Sequence, residues 1–487
     1  MIIDDVNEPL LKDPPSPHAR LEADLPPSPP PYVSYQAINS TGIPPPVLAP
    51  RTKSRQRLGK HKYRRRYFVA ASIVLNCLFL LLWIRSSGEE SDVSKTRDGS
   101  TPDPPDVEVP VPHRPIRAVV PDPALGRCVQ NVTWANATRL LPEEDYFPFS
   151  SEVSFDFQDP SALLFLLSQG ALSGGRLNVV PSESLALPRA ILRVRYHLLD
   201  VRNRANVCLM ERKHAGGIGI GIFTPPAFDA QTPEDHLDFT ITLFLPTRPL
   251  HAGSSLPVYK LETQLPSFAH SLDSLRDVLI FDTLVLRSKN EPIVAKSLFA
   301  RNATIQTSNG FISGSFEASS SLNLVTSNAP IDATVKLHNT NIFSTTELVL
   351  QTRNGQVDSD VSLMTTAATG EGGKFSIKAE TSNAPLVMTF PTSPAHAILN
   401  LDAQTSNSPA NVWLHEAFEG DFTLASSMVF VDRRPFLDPR KLRSVLYSDY
   451  KNGMVVGNVR WKFPVFKSKT LGKVRVATTN NILKLFV

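Results

Sequence analysis

A short motif repeated in the second half of the chain constrains the fold more than any other feature. The copy at Thr326 is Thr-Ser-Asn-Ala-Pro-Ile, and five further copies keep an Asn at the third position. Their first residues lie 19, 19, 26, 29 and 24 residues apart, and a degenerate seventh copy begins at Thr478. The asparagines of the six clear copies are Asn290, Asn309, Asn328, Asn354, Asn383 and Asn407. Repeats of this length indicate units that bury a core only by stacking.

Apolar residues alternate with polar ones on both sides of each motif. Around the copy at Thr326 they are Leu322 and Leu324 before it, and Ile331 and Ala333 after it. This period of two is that of a strand with one buried face. Asn accepts left-handed backbone geometry and Pro interrupts a strand ladder, so the motif indicates a corner between two strands.

These patterns predict an all-β fold in which residues 281–414 form a β-solenoid. Stacked units would bring the six asparagines into register as an amide ladder. An antiparallel sandwich with similar hairpin turns is the alternative. We expect residues 126–280 to form a β-rich capping region and residues 415–487 a C-terminal β cap, because open strand edges invite aggregation.

An apolar run ahead of this domain predicts a transmembrane helix. Residues 67–84 contain no charge and no proline over 18 residues, which is near the lower limit for crossing a bilayer. Nine Lys and Arg precede it in residues 51–66, and three acids follow in residues 89–92. This asymmetry predicts a type II signal anchor with a cytosolic N-terminus, in the plasma membrane or the endomembrane system. The basic run is therefore explained by its place beside the span, and we do not expect it to bind nucleic acid.

Proline-rich segments flank the predicted span. Thirteen of the 42 prolines lie in residues 1–50, which show no strand or helix periodicity. We therefore expect a disordered, Pro-rich and basic cytosolic tail at residues 1–66 and a Pro-rich stalk at residues 85–125.

Two short motifs occur in the predicted tail. Pro29, Pro30 and Tyr32 fit the P-P-x-Y pattern that WW domains bind in a polyproline II conformation. Tyr35 and Ile38 fit a tyrosine-based sorting pattern, which is looser. Both could also be incidental matches in a low-complexity segment.

The predicted extracytoplasmic side offers two kinds of covalent modification. Cys77 lies in the span, so Cys128 and Cys208 are the two cysteines left in the oxidising compartment, and we expect them to form a disulfide. The sequons at Asn131, Asn136 and Asn302 predict a glycoprotein.

The sequence contains no recognisable catalytic or metal-binding pattern, which favours a protein that is not an enzyme. The histidines show no metal spacing, and the alternating segment from Gly217 to Ile222 predicts a strand with one bare face, not a phosphate cradle. Asp332 and Asp358 occupy equivalent positions of adjacent repeats, so stacking would place them about 5 Å apart. Acidic residues also occur at such positions on strand faces that are simply exposed to water, so the pair does not by itself indicate catalysis. We therefore predict no catalytic residue, no cofactor and no metal site.

The motifs resemble those of a family of uncharacterised fungal single-pass membrane proteins. The resemblance covers residues 145–487 and includes Asn206-Val-Cys-Leu-Met-Glu-Arg, Gly219-Ile-Gly-Ile-Phe-Thr-Pro and the Thr-Ser-Asn-Ala-Pro-Ile repeats. More loosely, the repeats are similar to the adhesin-like β-solenoid family of bacteria and fungi. The resemblance implies a fold and a membrane placement, and it supplies no catalytic residues.

The sequence therefore predicts a membrane-anchored, non-enzymatic β-solenoid that serves as an adhesion, wall-contact or scaffolding module. Its expected partners are the membrane, a WW-domain protein for the tail, and a glycan or protein ligand for the ectodomain, but no nucleic acid. Two alternatives stay open: a carbohydrate-active enzyme on a β-helix, and a trafficking adaptor that recruits WW-domain ubiquitin ligases.

Overall fold

Strands dominate the part of the chain that the structure describes. The computed structural model describes residues 126–140, 146–159, 163–212, 216–225, 233–248, 256–339, 343–433, 442–461 and 471–487. All of them belong to one unit, Pro110–Val487. The predicted tail, span and stalk lie outside these ranges, and within them no helix is long and apolar enough to cross a bilayer. The predicted all-β class is confirmed.

The described residues of this unit form twenty-seven strands, one short α-helix and one 3-10 helix (Pro233–Asp235). The first strands are β1 (Arg127–Asn131), β2 (Thr138–Arg139), β3 (Phe149–Asp156), β4 (Leu163–Gln169), β5 (Gly174–Ser182), β6 (Arg189–Tyr196), β7 (Asn206–Arg212), β8 (Gly217–Phe223) and β9 (Leu237–Pro246), with helix α1 (Leu199–Asn203) between β6 and β7. The next are β10 (Val258–Gln264), β11 (Ser267–Ser274), β12 (Ile280–Arg287), β13 (Ile293–Gln306), β14 (Ile312–Val325), β15 (Ile331–Asn339), β16 (Thr346–Gln351), β17 (Val357–Thr365), β18 (Lys374–Glu380), β19 (Leu386–Thr389), β20 (Ile398–Thr405) and β21 (Ala410–Trp413). The last are β22 (Gly420–Ala425), β23 (Met428–Asp432), β24 (Arg443–Tyr447), β25 (Met454–Trp461), β26 (Gly472–Thr478) and β27 (Ile482–Phe486).

The repeats stack through two sets of parallel strand pairs. We call one strand, the motif corner and the next strand a coil. Strands that precede a corner form sheet 1, in the order β1-β7-β8-β4-β10-β12-β13-β14-β16-β18-β20-β26-β22-β25-β24. Strands that follow a corner form sheet 2, in the order β2-β3-β6-β9-β5-β11-β13-β14-β15-β17-β19-β21-β27-β23. The long strands β13 and β14 take part in both sheets. The pairing between repeats is parallel, which the antiparallel alternative does not allow.

The core lies between the two sheets and consists of stacked rows of inward side chains. One row in sheet 2 joins residues of ten successive strands and is almost wholly aliphatic. Its members are Ile241, Leu177, His270, Ile293, Ile312, Ile331, Val357, Leu386, Ala410 and Leu483. All are buried to 1% exposure or less. The period of two in the sequence is therefore the period of burial.

The order of the coils in space departs from their order in the sequence at both ends. The β4–β5 coil lies between the β8–β9 coil and the β10–β11 coil, although β8 and β9 follow it in the chain. The C-terminal β26–β27 coil lies between β20–β21 and β22–β23. The parallel stack thus extends past residues 281–414 in both directions. Neither inversion is marked by a clear copy of the motif.

Antiparallel strands close both ends of sheet 1 and one end of sheet 2. Strands β7 and β1 follow β8, and β25 and β24 follow β22. On sheet 2, β6, β3 and β2 follow β9. The region that the sequence predicts as a cap, residues 126–280, thus contains both antiparallel strands such as β6 and strands of the parallel stack itself such as β9.

Candidate functional site

The asparagines of the repeated corner form a continuous chain of side-chain hydrogen bonds. Each amide Nδ2 donates to the Oδ1 of the asparagine in the preceding coil, at 2.7 to 2.9 Å. The series runs through Asn290, Asn309, Asn328, Asn354, Asn383, Asn407 and Asn480. The last member, Asn480, comes from the degenerate seventh copy in the C-terminal coil. These seven side chains, which we call the Asn ladder, are exposed.

Except in the copy at 288, which begins with Ser288, a threonine begins each motif copy and explains why these corners fold in the same way. Its side chain is buried, and its Oγ1 donates to a carbonyl of the preceding coil, as Thr352 does to Ala329 O at 3.1 Å and Thr381 to Gly355 O at 2.9 Å. The backbone N–H of the Asn donates to the preceding corner as well, so that Asn328 N lies 2.9 Å from Ser308 O. Buried hydroxyls need such partners, and these bonds hold successive corners in register.

A polar groove follows the Asn ladder on its sheet 1 side. It has a volume of about 540 Å³ and extends over five coils. We call it the corner groove. Its lining residues are Val325, Thr326, Ser327, Gln351, Thr352, Arg353, Glu380, Thr381, Ser382, Gln404, Thr405, Ser406, Arg475, Ala477 and Thr479. Hydroxyl groups therefore recur along it at the strand spacing of about 4.8 Å, and the amides of Gln351 and Gln404 are two strands apart.

Few charges enter the corner groove. Arg353 is exposed at the position that Ser327 and Ser382 hold in neighbouring coils. Glu380 accepts from Lys378 Nζ at 2.8 Å, and this contact raises the pKa of the Lys378 ammonium. Arg475 Nη1 lies 3.8 Å from the Asp402 carboxylate. The groove thus offers mainly neutral donors and acceptors, with two guanidinium groups.

The acidic pair singled out from the sequence lies elsewhere, on the outward face of sheet 2. Asp332 and Asp358 are register partners in β15 and β17, and both are exposed. The pKa of Asp358 is raised, first by partial burial and then by the charges of Asp332 and Asp360. None of these residues lines the corner groove.

A buried carboxylate cluster escaped the sequence analysis. The Glu317 side chain is 2% exposed, and it contacts Arg276 Nε at 2.6 Å, His338 Nε2 at 2.8 Å and Lys336 Nζ at 3.1 Å. Burial acts to raise its pKa, but the hydrogen bonds from His338 and Lys336 and the positive charges outweigh this effect, so the pKa is lowered. Glu317 keeps the outward position of the alternation, between the inward Phe316 and Ala318, and is buried by its contacts with residues of other strands and loops, which no sequence pattern marks.

The two cysteines meet beside the bare strand face at the other end of the domain. Cys128 and Cys208 form a disulfide with their Cα atoms 5.6 Å apart. Cys208 packs with Phe165, Leu167, Met210 and Phe223 in a small apolar cluster. A Cβ on Gly219 would lie 1.9 Å from the carbonyl oxygen of Phe165, so the bare face of β8 makes room for that strand and its aromatic ring.

The remaining predicted sites divide into exposed positions and positions outside the structure. Asn131, Asn136 and Asn302 are exposed, and Asn302 Oδ1 accepts from Ser321 Oγ at 3.1 Å. The tail residues Pro29, Pro30, Tyr32, Tyr35 and Ile38 lie outside the described residues. Among the described residues no group of three or more His, Cys, Asp or Glu could hold a metal ion.

Comparisons with known proteins leave the chain without an assigned family. No family model matches it, enzyme families included, and no curated protein matches it either. The crystal structure of a putative cell adhesion protein from Clostridium sporogenes is similar to it at 10% sequence identity and a TM-score of 0.16. That match covers 69% of this chain and 99% of the other. At this TM-score the likeness supports no conclusion about fold or function.

Proposed function

We propose that this protein is a membrane-anchored β-solenoid that acts as a non-enzymatic adhesion module and binds an extended glycan chain in the corner groove. The corner groove is the observation that carries the proposal. It presents a hydroxyl side chain in each of five successive coils and an amide in two of them, and a polymer of polyhydroxylated units can use such a repeating set of contacts. Wall contact and scaffolding are forms of the same role.

The chemistry of the groove favours a neutral or weakly charged glycan. Hydroxyls of Ser327 and Ser382 and amides of Gln351 and Gln404 both donate and accept, as sugar hydroxyls do. A strongly anionic polymer would lie beside the Glu380 carboxylate, which opposes it. Arg353 supplies a guanidinium that can form two parallel hydrogen bonds to one sugar unit.

The same groove favours binding over hydrolysis. Glycoside hydrolysis ordinarily uses two carboxylates on opposite sides of the scissile bond. Among the described residues that line the groove, Glu380 is the one carboxylate, and it is paired with Lys378. The alternative of a carbohydrate-active enzyme would therefore need the Asp332 and Asp358 pair, which lies on an outward strand face.

Membrane anchoring and trafficking are supported by sequence alone. The apolar run at residues 67–84, with its basic N-terminal flank, supports a single span with a cytosolic N-terminus. In that arrangement the WW-ligand and sorting motifs of the tail would serve to position the module at the plasma membrane or in the endomembrane system. The adaptor alternative differs in making those motifs the main function.

The test is binding of the full-length chain to immobilised neutral and acidic glycans. Arg353→Ala should weaken capture of the preferred glycan by about tenfold, because a bidentate guanidinium contact is lost. Lys289→Ala is the matched control, since Lys289 holds the same position of its motif, is also exposed, and lies outside the groove.

Two results would overturn the proposal. One is equal loss of binding in the two variants, which would place the contact outside the groove. The other is release of shortened sugars from the bound glycan, lost in Asp332→Asn, which would make the protein an enzyme.

A further inference from the structure

The C-terminal part of the chain differs sharply in charge from the rest. Residues 433–487 contain thirteen Lys and Arg and two Asp, a net charge of +11. The whole chain carries +4, so the other 432 residues together carry −7. A local excess of this size indicates an anionic partner for this region.

Large apolar side chains are exposed in the same region. On the antiparallel pair of β24 and β25, Leu446 is 61% exposed, Val456 47% and Met454 44%. Met428 and Phe430 of β23 are about half exposed as well. Five apolar side chains so close in the chain and at one end of the stack are unusual for a surface that faces only water.

The strand register separates the apolar side chains from the cations. Leu446 pairs with Asn458, Asn458 with Asp421, and Asp421 with Lys473, so this outward row runs from the tip of sheet 1 back into the stack. The neighbouring row holds Val456, Thr423 and Arg475. We call Leu446, Met454 and Val456 the apolar tip, and Lys473 and Arg475 of β26 the cationic band.

The spacing between tip and band fits a lipid bilayer. Strands β24 and β25 of the apolar tip are about 4.8 Å apart, and β26 with the cationic band lies about 10 Å behind β25. Interfacial protein segments bury apolar side chains about 5 to 10 Å into the boundary between headgroups and acyl chains. Inserted in this way, the tip would leave the cations level with the phosphates and carboxylates of the headgroups.

From this geometry we propose that the C-terminal end of the stack docks on an anionic lipid membrane. The apolar tip enters the interface, and the cationic band and Lys451 contact the headgroups. If the predicted span holds the N-terminal side of the chain in one membrane, this contact lets the protein bridge two membranes. Arg475 of the cationic band also lines the corner groove, whereas the apolar tip, Lys451 and Lys473 lie outside it, so variants of these residues test membrane docking separately from the glycan site.

The experiment uses the full-length chain in phosphatidylcholine nanodiscs and measures its co-flotation with separate vesicles. Vesicles of phosphatidylcholine with phosphatidylserine should capture the protein, and pure phosphatidylcholine vesicles should not. Capture should fall as salt is raised, because screening weakens contacts to an anionic surface. Replacing Lys451 and Lys473 by Ala should weaken binding roughly fivefold for each charge.

A second variant tests the apolar tip by itself. Leu446→Ser with Val456→Ser should reduce binding to anionic vesicles by more than about tenfold, because both side chains lose their apolar surface. Phe343→Ser is the matched control, since Phe343 is 87% exposed and lies outside the C-terminal region. Thermal unfolding of each variant would show that the fold is kept.

Several outcomes would overturn the proposal. They are equal capture by both kinds of vesicle, unchanged capture by either variant, and capture by an acidic polysaccharide without capture by anionic vesicles. Glycan binding by the tip variants distinguishes this inference from the proposed function: it should be that of the unmodified protein even where vesicle binding is lost.

Discussion

The middle of the stack and its two ends are built on different principles. In the middle, coils follow one another in sequence order, and each corner repeats the same Thr and Asn contacts. At each end one coil lies out of order: the β4–β5 coil lies between two coils that both follow it in the chain, and the β26–β27 coil lies between two that both precede it. The middle therefore depends on repeated contacts. Each end depends on one long-range arrangement of strands, and no other part of the stack repeats that arrangement.

This difference has a physical basis. Each repeated unit contributes a similar interface energy, so the loss of one contact removes only a small part of the stability of the stack. An end has to cover an open edge, and β6, β7 and β25 do so with antiparallel strands that carry no motif. Changes at the ends should therefore cost more than comparable changes in the middle.

The largest effect is expected from removing the C-terminal coil. Deletion of residues 472–487 takes away the buried side chains Val474, Val476, Leu483, Leu485 and Val487 and separates β22 and β23 from the stack. At about 1.5 to 3 kcal/mol for each buried side chain, the loss approaches the stability of a whole domain. The truncated chain should be insoluble or lack a cooperative unfolding transition.

Lys484→Ala is the control for this truncation. Lys484 lies in the same coil and its side chain points outward, so the thermal midpoint should stay that of the unmodified protein. A soluble truncated chain with an unchanged midpoint would show that the C-terminal coil does not hold the end together.

A somewhat smaller effect is expected from the disulfide at the opposite end. Replacing Cys128 and Cys208 by Ser opens a link over a sequence separation of 80 residues. Loop-closure entropy for such a link corresponds to about 4 kcal/mol of unfolding free energy. Denaturant unfolding should show this loss, and reductant should lower the stability of the unmodified protein but leave that of the double variant unchanged.

The N-terminal coils should also respond to pH in a way that the middle does not. His270 stands in the inward row where other coils carry Leu177, Ile293 or Ile312. Its Nδ1 donates to Phe268 O at 3.0 Å and its Nε2 accepts from Thr263 Oγ1 at 2.9 Å. Burial lowers the pKa of this ring to about 4 from its ordinary value of 6.5.

The sign of the pH effect follows from proton binding. Between pH 6.5 and 4 the unfolded chain binds a proton that the folded chain does not, so the stability is present above pH 6.5 and is lost as the pH falls. The loss should reach about 3 kcal/mol near pH 4. In His270→Leu this part of the pH dependence should vanish, and an identical pH profile for both proteins would contradict the assignment.

The smallest effect is expected within the Asn ladder. Asn354→Ala removes two ladder bonds, at 2.8 and 2.7 Å, whereas Asn290→Ala removes the single ladder bond from Asn309 at 2.9 Å. Hydrogen bonds of this kind contribute about 0.5 to 1 kcal/mol each. Denaturant unfolding should therefore show about 1 to 2 kcal/mol for Asn354→Ala and half as much for Asn290→Ala. Equal losses would mean that the ladder bonds themselves contribute nothing.

The sequence predicts the middle of the stack well because the features that define it depend on residues that are close together in the chain. Alternation of Leu322 and Leu324 with polar residues sets the buried face, and the Asn-Ala-Pro step sets the corner. The all-β class and the residues of the corner follow from these patterns. The seventh Asn, Asn480, could be recognised only as a degenerate copy.

The ends could not be predicted in the same way. Which strand lies beside β20 is decided by contacts between residues far apart in sequence, and both β22 and β26 have the alternation that fits that place. The corner groove is likewise a product of stacking, because Gln351, Glu380 and Gln404 become neighbours only in the folded chain. The burial of Glu317 could not be predicted either, because it depends on contacts with Arg276, Lys336 and His338, which come from other parts of the chain.

Cross-linking across sheet 1 tests the central claim, the out-of-order C-terminal coil, most directly. Asp402 pairs with Arg475, and Arg475 with Thr423, so Asp402 and Thr423 are two strands apart, about 10 Å. A disulfide requires Cα atoms closer than about 7 Å. The account predicts that Asp402→Cys with Arg475→Cys forms a disulfide under mild oxidation, detected by mass spectrometry, whereas Asp402→Cys with Thr423→Cys does not. A disulfide in the second pair and none in the first would mean that the coils follow the order of the sequence.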